Sequence, residues 1–131
     1  MTELRPYQPD DYPLLLAWWD GHAAPATPAE CLPGLGMVAL CDGVPTFAAF
    51  CSMDNSCGLC CLLWPVSNPA ATPRAVVRCI APVLELLREI AKGFGYHTML
   101  AMTHSESLAK HFSKLGFTAD DWMIRLHSCH L

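Results

Sequence analysis

The sequence predicts a single α/β (α+β) domain over residues 1–131, with a mixed, mostly antiparallel sheet packed against helices. Three observations predict this fold class. Two apolar runs flank Asp42-Gly43, which is a strong signal for a two-residue hairpin. Apolar residues then recur at helical spacing between Val76 and Phe94. A short apolar run follows this helix, and a right-handed crossover would place it parallel to an earlier strand.

The first third of the chain predicts a strand, a helix and a loop. Leu4-Arg5-Pro6-Tyr7 has the pattern of a short strand. Asp10-Asp11-Tyr12-Pro13 provides an acidic cap and an early proline for a helix that ends at Gly21. Residues 23–36 are rich in Ala, Pro and Gly, and Thr27-Pro28-Ala29-Glu30 has the spacing of a capping box. We therefore expect one short helix inside a loop on the substrate side.

Three strands are predicted in the middle of the chain. Met37 to Cys41 and Val44 to Ser52 flank the hairpin turn, and Asp54-Asn55-Ser56 turns the chain into Gly58 to Val66. Since short turns join antiparallel neighbours, these strands should form an antiparallel meander. Pro45 fits only near the strand start or at an irregular position.

An amphipathic helix should follow the turn at residues 67–72. Its apolar positions are Val76, Ile80, Val83, Leu87, Ile90 and Phe94. Pro82 lies among them and would remove a helical hydrogen bond. Two starts of the helix therefore stay open, one directly after the turn and one near Pro82 with an irregular turn before it, and either start leaves Arg74 to Cys79 near the N-terminus of the helix. Gly93-Phe94-Gly95 should end the helix.

The remaining elements are a strand, a helix and a strand. His97 to Met102 is the strand that the crossover would make parallel to Gly58 to Val66. Thr103-His104-Ser105-Glu106 has capping-box spacing and should open a helix that stops at Gly116. Trp122 to His127 alternates as a final strand does.

Composition excludes several classes of protein. The chain has 53% apolar and 15% charged residues, which argues against disorder and favours a well-filled core or a homodimer. A net charge of -4 without a basic run excludes a nucleic-acid partner. We find neither a secretory signal nor an apolar run of about 20 residues, so we expect a cytoplasmic protein with no membrane partner.

The eight cysteines do not read as a disulfide framework. Five of them lie among apolar residues and are expected to be reduced core residues: Cys41, Cys51, Cys60, Cys61 and Cys79. Cys57-Gly58-Leu59-Cys60 has the spacing of a metal knuckle, but the nearest other cluster is His127-Ser128-Cys129-His130. We assign no metal, and a zinc protein stays an alternative.

The order of these elements resembles the GNAT family of acyl-CoA-dependent N-acetyltransferases over nearly the whole chain, particularly the small divergent members encoded by phages. The local matches are Leu4-Arg5-Pro6 followed by Asp10-Asp11, the helix end at Gly95-Tyr96, and Leu108 through Leu115-Gly116-Phe117. The resemblance implies a GNAT-like acyl-CoA N-acyltransferase fold, with helices on both faces of the sheet and a splayed pair of parallel strands.

The resemblance also implies acetyl-CoA as co-substrate. It would lie between the splayed strands Cys60 to Val66 and His97 to Met102, with backbone groups near Trp64 and Val66 bonding the pantetheine arm. In relatives, a loop reading Q/R-x-x-G-x-G/A holds the pyrophosphate through its amides. This loop falls on Arg74 to Ile80.

This chain departs from that loop pattern because Val77, Arg78 and Ile80 place side chains where glycine would permit close approach of the backbone. Arg74 and Arg78 could supply charge-assisted bonds to phosphates, or could be two solvated arginines on a helix face. The resemblance thus implies eight cofactor contacts: Trp64, Val66, Arg74, Val77, Arg78, Cys79, Ser105 and Phe112.

A second departure concerns catalysis. Phe112 falls where many relatives carry a tyrosine that protonates the leaving thiolate, and Ser105 falls where asparagine is frequent. Phe112 cannot donate a proton, so the acid would be His104, a water or another group. Three side chains are candidate bases for the amine: Glu30, Asp54 and His97. We assign no catalytic residue.

Three functions follow from these patterns. The leading one is transfer of an acetyl group from acetyl-CoA to a primary amine, with the protein mainly positioning the thioester. The alternative is a non-catalytic, GNAT-like binding or assembly module that has lost the loop glycines and the tyrosine. The third is the Cys and His metal protein.

Overall fold

The structure is a computed structural model that describes residues 1–103 and 105–119. The strands are β1 (Thr2–Pro6), β2 (Leu35–Cys41), β3 (Val44–Met53), β4 (Leu59–Ser67) and β5 (Thr98–Ala101). The α-helices are α1 (Tyr12–Gly21), α2 (Pro73–Gly93) and α3 (Glu106–Lys114), and Pro9–Asp11 and Ala29–Cys31 are short 3₁₀ turns. The final strand expected at Trp122 to His127 lies outside the described residues.

The described strands form one mixed sheet in the order β1-β2-β3-β4-β5. Neighbours from β1 to β4 are antiparallel, and β4 and β5 are parallel, from Leu59 opposite Thr98 to Leu62 opposite Ala101. The meander and the parallel pair are therefore confirmed. Because α2 connects β4 to β5, this helix is the crossover that the sequence predicts.

The hairpin between β2 and β3 has the two-residue turn that the sequence predicts. Asp42 and Gly43 have φ angles of 51° and 81°, the left-handed values that this turn requires. Pro45 lies where the register shifts, since Leu40 pairs with Pro45 while the preceding Ala39 pairs with Phe47. The expectation of an irregular position for Pro45 is confirmed.

The start of α1 differs from the expected acidic cap. The Asp11 carboxylate does not cap α1 but accepts two bonds of 2.7 Å from the Arg5 guanidinium and one of 2.8 Å from the Gln8 amide. Such a two-pronged pair of charged groups is stronger than a neutral hydrogen bond. Asp11 therefore joins β1 to α1 instead of only starting the helix.

We expect Asp11→Asn to lower the free energy of unfolding by about 1 kcal/mol. Arg5 is the chief reason that the pKa of the Asp11 carboxyl lies below its ordinary value. A carboxyl with a lowered folded-state pKa stabilises the fold above its unfolded pKa of about 4, and this stabilisation is lost as the pH falls through the folded-state pKa. Urea unfolding at several pH values below about 5 measures the loss.

In that titration, the wild type should lose more stability on acidification than Asp11→Asn does. Asp10→Asn is the matched control, because Asp10 is the exposed neighbour of Asp11 in the same 3₁₀ turn. Equal acid dependence in the wild type and Asp11→Asn would contradict the role given to the pair.

Helix α2 is continuous from Pro73 to Gly93, so of the two starts that the sequence leaves open the earlier one is correct, and no irregular turn precedes Pro82. Thr72 starts the helix: its Oγ1 accepts a bond of 3.2 Å from the Ala75 amide, and Pro73 occupies the first turn, where no amide bond is lost. Pro82 removes one internal bond. Burial of a full apolar stripe against the sheet offsets that loss, the stripe being Cys79, Ile80, Val83, Leu84, Leu87 and Ala91.

Helix α3 begins two residues later than the capping-box spacing suggests. Ser105 is the cap, and its Oγ accepts a bond of 3.2 Å from the Leu108 amide, while the Thr103 hydroxyl accepts one of 3.0 Å from Ser105. At the other end Gly116 has φ of 92°, and the Phe117 amide donates back to the Phe112 carbonyl at 3.0 Å. The expected stop at Gly116 is confirmed.

The sheet carries one apolar core on each face. Helices α2 and α3 cover one face with a cluster that includes Phe47, Leu84 and Phe112, and α1 covers the other with Leu15, Trp18 and Trp19 over Phe50. Three of the predicted core cysteines, Cys51, Cys60 and Cys79, are at most 2% exposed, and burial raises the pKa of Cys51 to about 12. Within residues 1–103 and 105–119, no helix is long and apolar enough to span a bilayer.

Candidate functional site

The parallel pair of strands is open at its carboxyl end. The last paired residues are Leu62 and Ala101, whereas β4 continues to Ser67 with β3 on one side. In the described part of the chain, no strand flanks residues 63–67 on the other side. Backbone polar groups point alternately to the two sides of a strand, so some of them lie free along this edge. We call residues 63–67 the open edge of β4.

A β-bulge turns the strand within this open edge. Ala48 pairs with Val66 while Phe50 pairs with Leu63, so Trp64 and Pro65 together oppose a single residue of β3. The extra residue reverses the alternation of faces: Cys60 and Leu62 lie in the core under α2, but Trp64 and Val66 lie in the core under α1.

Two features of Trp64 are energetically unfavourable at this position. Its φ angle is 55°, which is unusual for a large aromatic residue, and its indole Nε1 is buried without a hydrogen-bond partner in the described part of the chain. Strained backbone of this kind clusters at binding and catalytic sites. Sequence reasoning missed the bulge, although Pro65 inside an apparently central strand was a signal for it.

The connection from β4 to α2 is held by Asn68. The Asn68 amide donates to the Thr46 carbonyl at 2.8 Å, and its side-chain Nδ2 donates to the Pro45 carbonyl at 3.0 Å. In the other direction, the amides of Ala70 and Ala71 donate to the Asn68 Oδ1 and carbonyl oxygens at 2.9 and 3.0 Å. Three backbone amides of the connection are therefore already bonded within the protein.

The first turn of α2 uses most of the remaining amides. Thr72 accepts from Ala75 through Oγ1 at 3.2 Å and from Val76 through its carbonyl at 3.1 Å. Pro69 and Pro73 have no amide hydrogen. Between residues 68 and 76, only the amides of Thr72 and Arg74 lack a protein acceptor in the described part of the chain.

The segment from Arg74 to Ile80 is therefore not a loop, and the expectation of a loop there is wrong. It lies within the first eight residues of α2, where amides beyond the first turn bond carbonyls of the same helix. Without glycines, nothing in this segment favours the extended or left-handed backbone that a phosphate-binding loop adopts, and the chain is helical from Pro73 onward.

The carboxyl end of α1 packs against the same connection. The His22 Nε2 lies 2.9 Å from the Ser67 carbonyl oxygen, so this nitrogen carries the proton in that bond. A Cβ atom on Gly21 would lie 2.5 Å from the Pro69 Cγ, so only glycine permits this approach without movement. These contacts of Gly21 and His22 hold the end of β4 against α1. The sequence pattern did not predict them.

One side of α2 faces α3. Arg88 lies on this side, and its guanidinium donates to the Leu115 carbonyl at the end of α3. Helical geometry places Val77 three turns earlier on the same side, with Arg74 one turn before it. Val77 is 48% exposed although it is apolar. Arg74 and Val77 therefore lie on the side of α2 that Arg88 links to α3, and we call the space between the first turns of these two helices the α2–α3 groove.

Arg78 and Cys79 lie elsewhere on α2. The pKa of the Asp42 carboxyl is lowered chiefly by the Met1 ammonium, 2.6 Å away, and in addition by Arg78, which places this arginine near the β2–β3 hairpin. Cys79 is fully buried in the core under α2. The structure thus separates these two predicted cofactor contacts from the groove.

Ser105 lies at the same edge of the sheet as the start of α2. Because α2 follows β4 and α3 follows β5, and these strands are parallel, both helices begin at the carboxyl ends of the strands. The open edge of β4 and the mouth of the α2–α3 groove therefore meet at this edge of the sheet. This is the usual position for ligands in parallel sheets.

Phe112 lies on the buried side of α3, in the core that α2 and α3 cover. It is 7% exposed, and its ring centroid lies 5.3 Å from that of Phe117. Its neighbour His111 has a lowered pKa, mainly because burial disfavours the charged ring and secondly because Lys114 is close. His104, the other candidate acid, lies outside the described residues.

Two of the three candidate bases lie at the wrong end of the strands. Asp54 accepts bonds from the amide and hydroxyl of Ser56 in the β3–β4 turn, and His97 packs against Gly58. Both positions are at the amino ends of β4 and β5, opposite the open edge. Glu30 is exposed in the turn between α1 and β2. The site therefore has no assigned base.

The described residues do not bring a metal set together. Residues 1–103 and 105–119 contain no group of three or more His, Cys, Asp or Glu side chains that could hold an ion. Cys57 is exposed while Cys60 is buried, so the two ends of the knuckle spacing lie in different environments. The cluster at His127 to His130 lies outside the described residues.

Comparison with solved structures identifies the architecture. An acetyltransferase from Trypanosoma brucei has a TM-score of 0.65 at 19% identity, covering 98% of this chain and 100% of its own. The ribosomal-protein-S18-alanine N-acetyltransferase of Escherichia coli has a TM-score of 0.68 at 16% identity, covering 90% and 78%. A protein from Clostridium acetobutylicum, described as a predicted acetyltransferase and solved with acetyl-CoA, has a TM-score of 0.64 at 15% identity, covering 97% and 96%.

At sequence identities of 15% to 19%, the similarity to these structures shows the fold alone. No family model matches the sequence, and no curated protein matches it.

Proposed function

Because the chain has the fold of the GNAT acetyltransferases, we propose that it is an acyltransferase that moves an acetyl group from acetyl-CoA to a primary amine. The observation that carries the proposal is the open edge of β4 beside the mouth of the α2–α3 groove. An extended arm that enters there can pair with free backbone groups as an added strand does. The thioester would then lie where β4 and β5 separate.

In this reaction the amine nitrogen attacks the thioester carbonyl. A C–N bond forms, the nitrogen loses a proton to solvent, the C–S bond breaks, and the thiolate leaves and takes up a proton. The chain contributes mainly position: β4 would hold the donor in an extended form, and the bulge at Trp64 would direct the strand away from β5. The described residues near the open edge offer no phenol, so water is the proton donor that we propose for the thiolate.

We expect acetyl-CoA to raise the melting temperature in a saturable way. Ligand at about 100 times its dissociation constant adds about 2.7 kcal/mol to the free energy of unfolding. A thermal scan from micromolar to millimolar acetyl-CoA measures binding, and a thiol reagent measures turnover with a panel of primary amines. The absence of any shift at millimolar acetyl-CoA would refute the proposal.

The alternative is a GNAT-like module that binds or assembles without catalysis. The bonded amides between Asn68 and Val76 and the core position of Phe112 favour it, because neither supports a phosphate loop or an acid. Under this alternative acetyl-CoA would bind without thiol release for every amine, or would not bind. Thiol release that depends on both the amine and the protein would exclude it.

A further inference from the structure

We propose that this site recognises its donor by the acyl-pantetheine arm, and that the 3′-phosphorylated ADP half of CoA adds little to binding or turnover. The substrate class is therefore the acyl thioesters of pantetheine, of which acetyl-CoA is one member. This inference rests on the proposed function, since it concerns the donor of the same reaction.

The first argument is the state of the backbone amides. Phosphate groups are held where several free amides converge. Here five of the seven amides between residues 68 and 76 already have acceptors within the protein, at 2.8 to 3.2 Å. The two that remain, Thr72 and Arg74, are separated by Pro73. A diphosphate would have to displace the contacts of Asn68 to gain more donors.

The second argument is the position of the charged side chains. Arg78 lies about 100° around α2 from Val77, on the side near the β2–β3 hairpin, where it contributes to the lowered pKa of the Asp42 carboxyl. Arg74 borders the groove but is exposed, and exposed ion pairs contribute little to affinity. His22 is occupied by the Ser67 carbonyl at 2.9 Å. Within the described part of the chain, the start of α2 therefore offers the nucleotide half one solvated guanidinium.

The third argument is that the groups for the arm are present. The open edge of β4 comprises residues 63–67, which would extend about 17 Å at about 3.4 Å per residue in a regular strand and less where the bulge at Trp64 and Pro65 bends it. Pantetheine contains two amides, each with one N–H and one C=O, which match the alternating groups of a free strand edge. Val77, 48% exposed, offers an apolar surface at the groove mouth for the methylenes and methyls of the arm.

The chemistry is the same for every member of the class. The amine nitrogen bonds to the acyl carbon, which gives the amide. The carbon–sulfur bond breaks, and the thiolate takes up the equivalent of the proton that the nitrogen loses and leaves as a free thiol. The nucleotide takes no part in bond making, so its loss affects the rate only through binding and orientation.

The test compares acetyl-CoA with S-acetylpantetheine over the same panel of primary amines. We expect kcat/KM values within about tenfold of each other, because a few charge-assisted phosphate contacts would contribute more than about a hundredfold. A loss of tenfold or more with S-acetylpantetheine overturns the inference and leaves the proposed function standing. Release from neither donor overturns the proposed function itself.

Two further measurements extend the test, and the first of them does not require turnover. In thermal scans, pantetheine should compete with acetyl-CoA, whereas adenosine 3′,5′-bisphosphate at the same concentration should not. In Arg74→Ala, the ratio of the two kcat/KM values should stay within about twofold of the wild-type ratio. Competition by the bisphosphate, or a selective loss with acetyl-CoA in Arg74→Ala, overturns the inference.

Discussion

Replacement of Phe50 by alanine is expected to lower the free energy of unfolding by about 3–5 kcal/mol. Phe50 is fully buried in the centre of β3, on the face that α1 covers. Its ring meets the Tyr7 ring edge to face, with centroids 5.0 Å apart. Gly36, in the neighbouring strand, leaves space for the ring, since a Cβ there would clash with Phe50. The variant would leave a cavity between rigid strands.

Urea unfolding of Phe50→Ala measures this loss. Phe94→Ala is the matched control: Phe94 is 71% exposed after the end of α2, so its removal should change the free energy of unfolding by less than about 0.5 kcal/mol. Similar values for the two variants would show that the α1 face of the sheet is not packed as described.

The elements that the sequence predicts well are those whose signals are local. Asp42 and Gly43 suit left-handed backbone angles, so the hairpin is determined by two residues and the pattern beside them. Gly116 ends α3 for the same local reason. The start of α2 was harder, because Pro82 is a strong local breaker and the burial that offsets it depends on β2 and β3.

The site was predicted less completely because it depends on register between strands. Cys60, Leu62, Trp64 and Val66 alternate in sequence as residues of one face do, and only the pairing with β3 shows that the bulge divides them between two faces. The same holds for α2. Val77 and Arg78 are neighbours in sequence, but the positions of α3 and of the hairpin decide which of them borders the groove.

The different positions of Val77 and Arg78 around α2 give the prediction with the largest effect on activity. We expect Val77→Trp to reduce kcat/KM for acetyl-CoA by at least about tenfold, because an indole at this position would fill the mouth of the α2–α3 groove. Arg78→Trp adds the same side chain one residue later, turned by about 100° around the helix. Its kcat/KM should stay within about twofold of the wild type.

Both positions are exposed in the first half of α2, so each substitution should have a similarly small effect on helix stability, and urea unfolding checks this. If kcat/KM falls only in Val77→Trp, while the two variants have the same free energy of unfolding, the donor binds along the side of α2 that faces α3. Equal losses in the two variants would contradict that path. The donor would then have to reach the open edge of β4 from the face that α1 covers, where Trp64 and Val66 already fill the space.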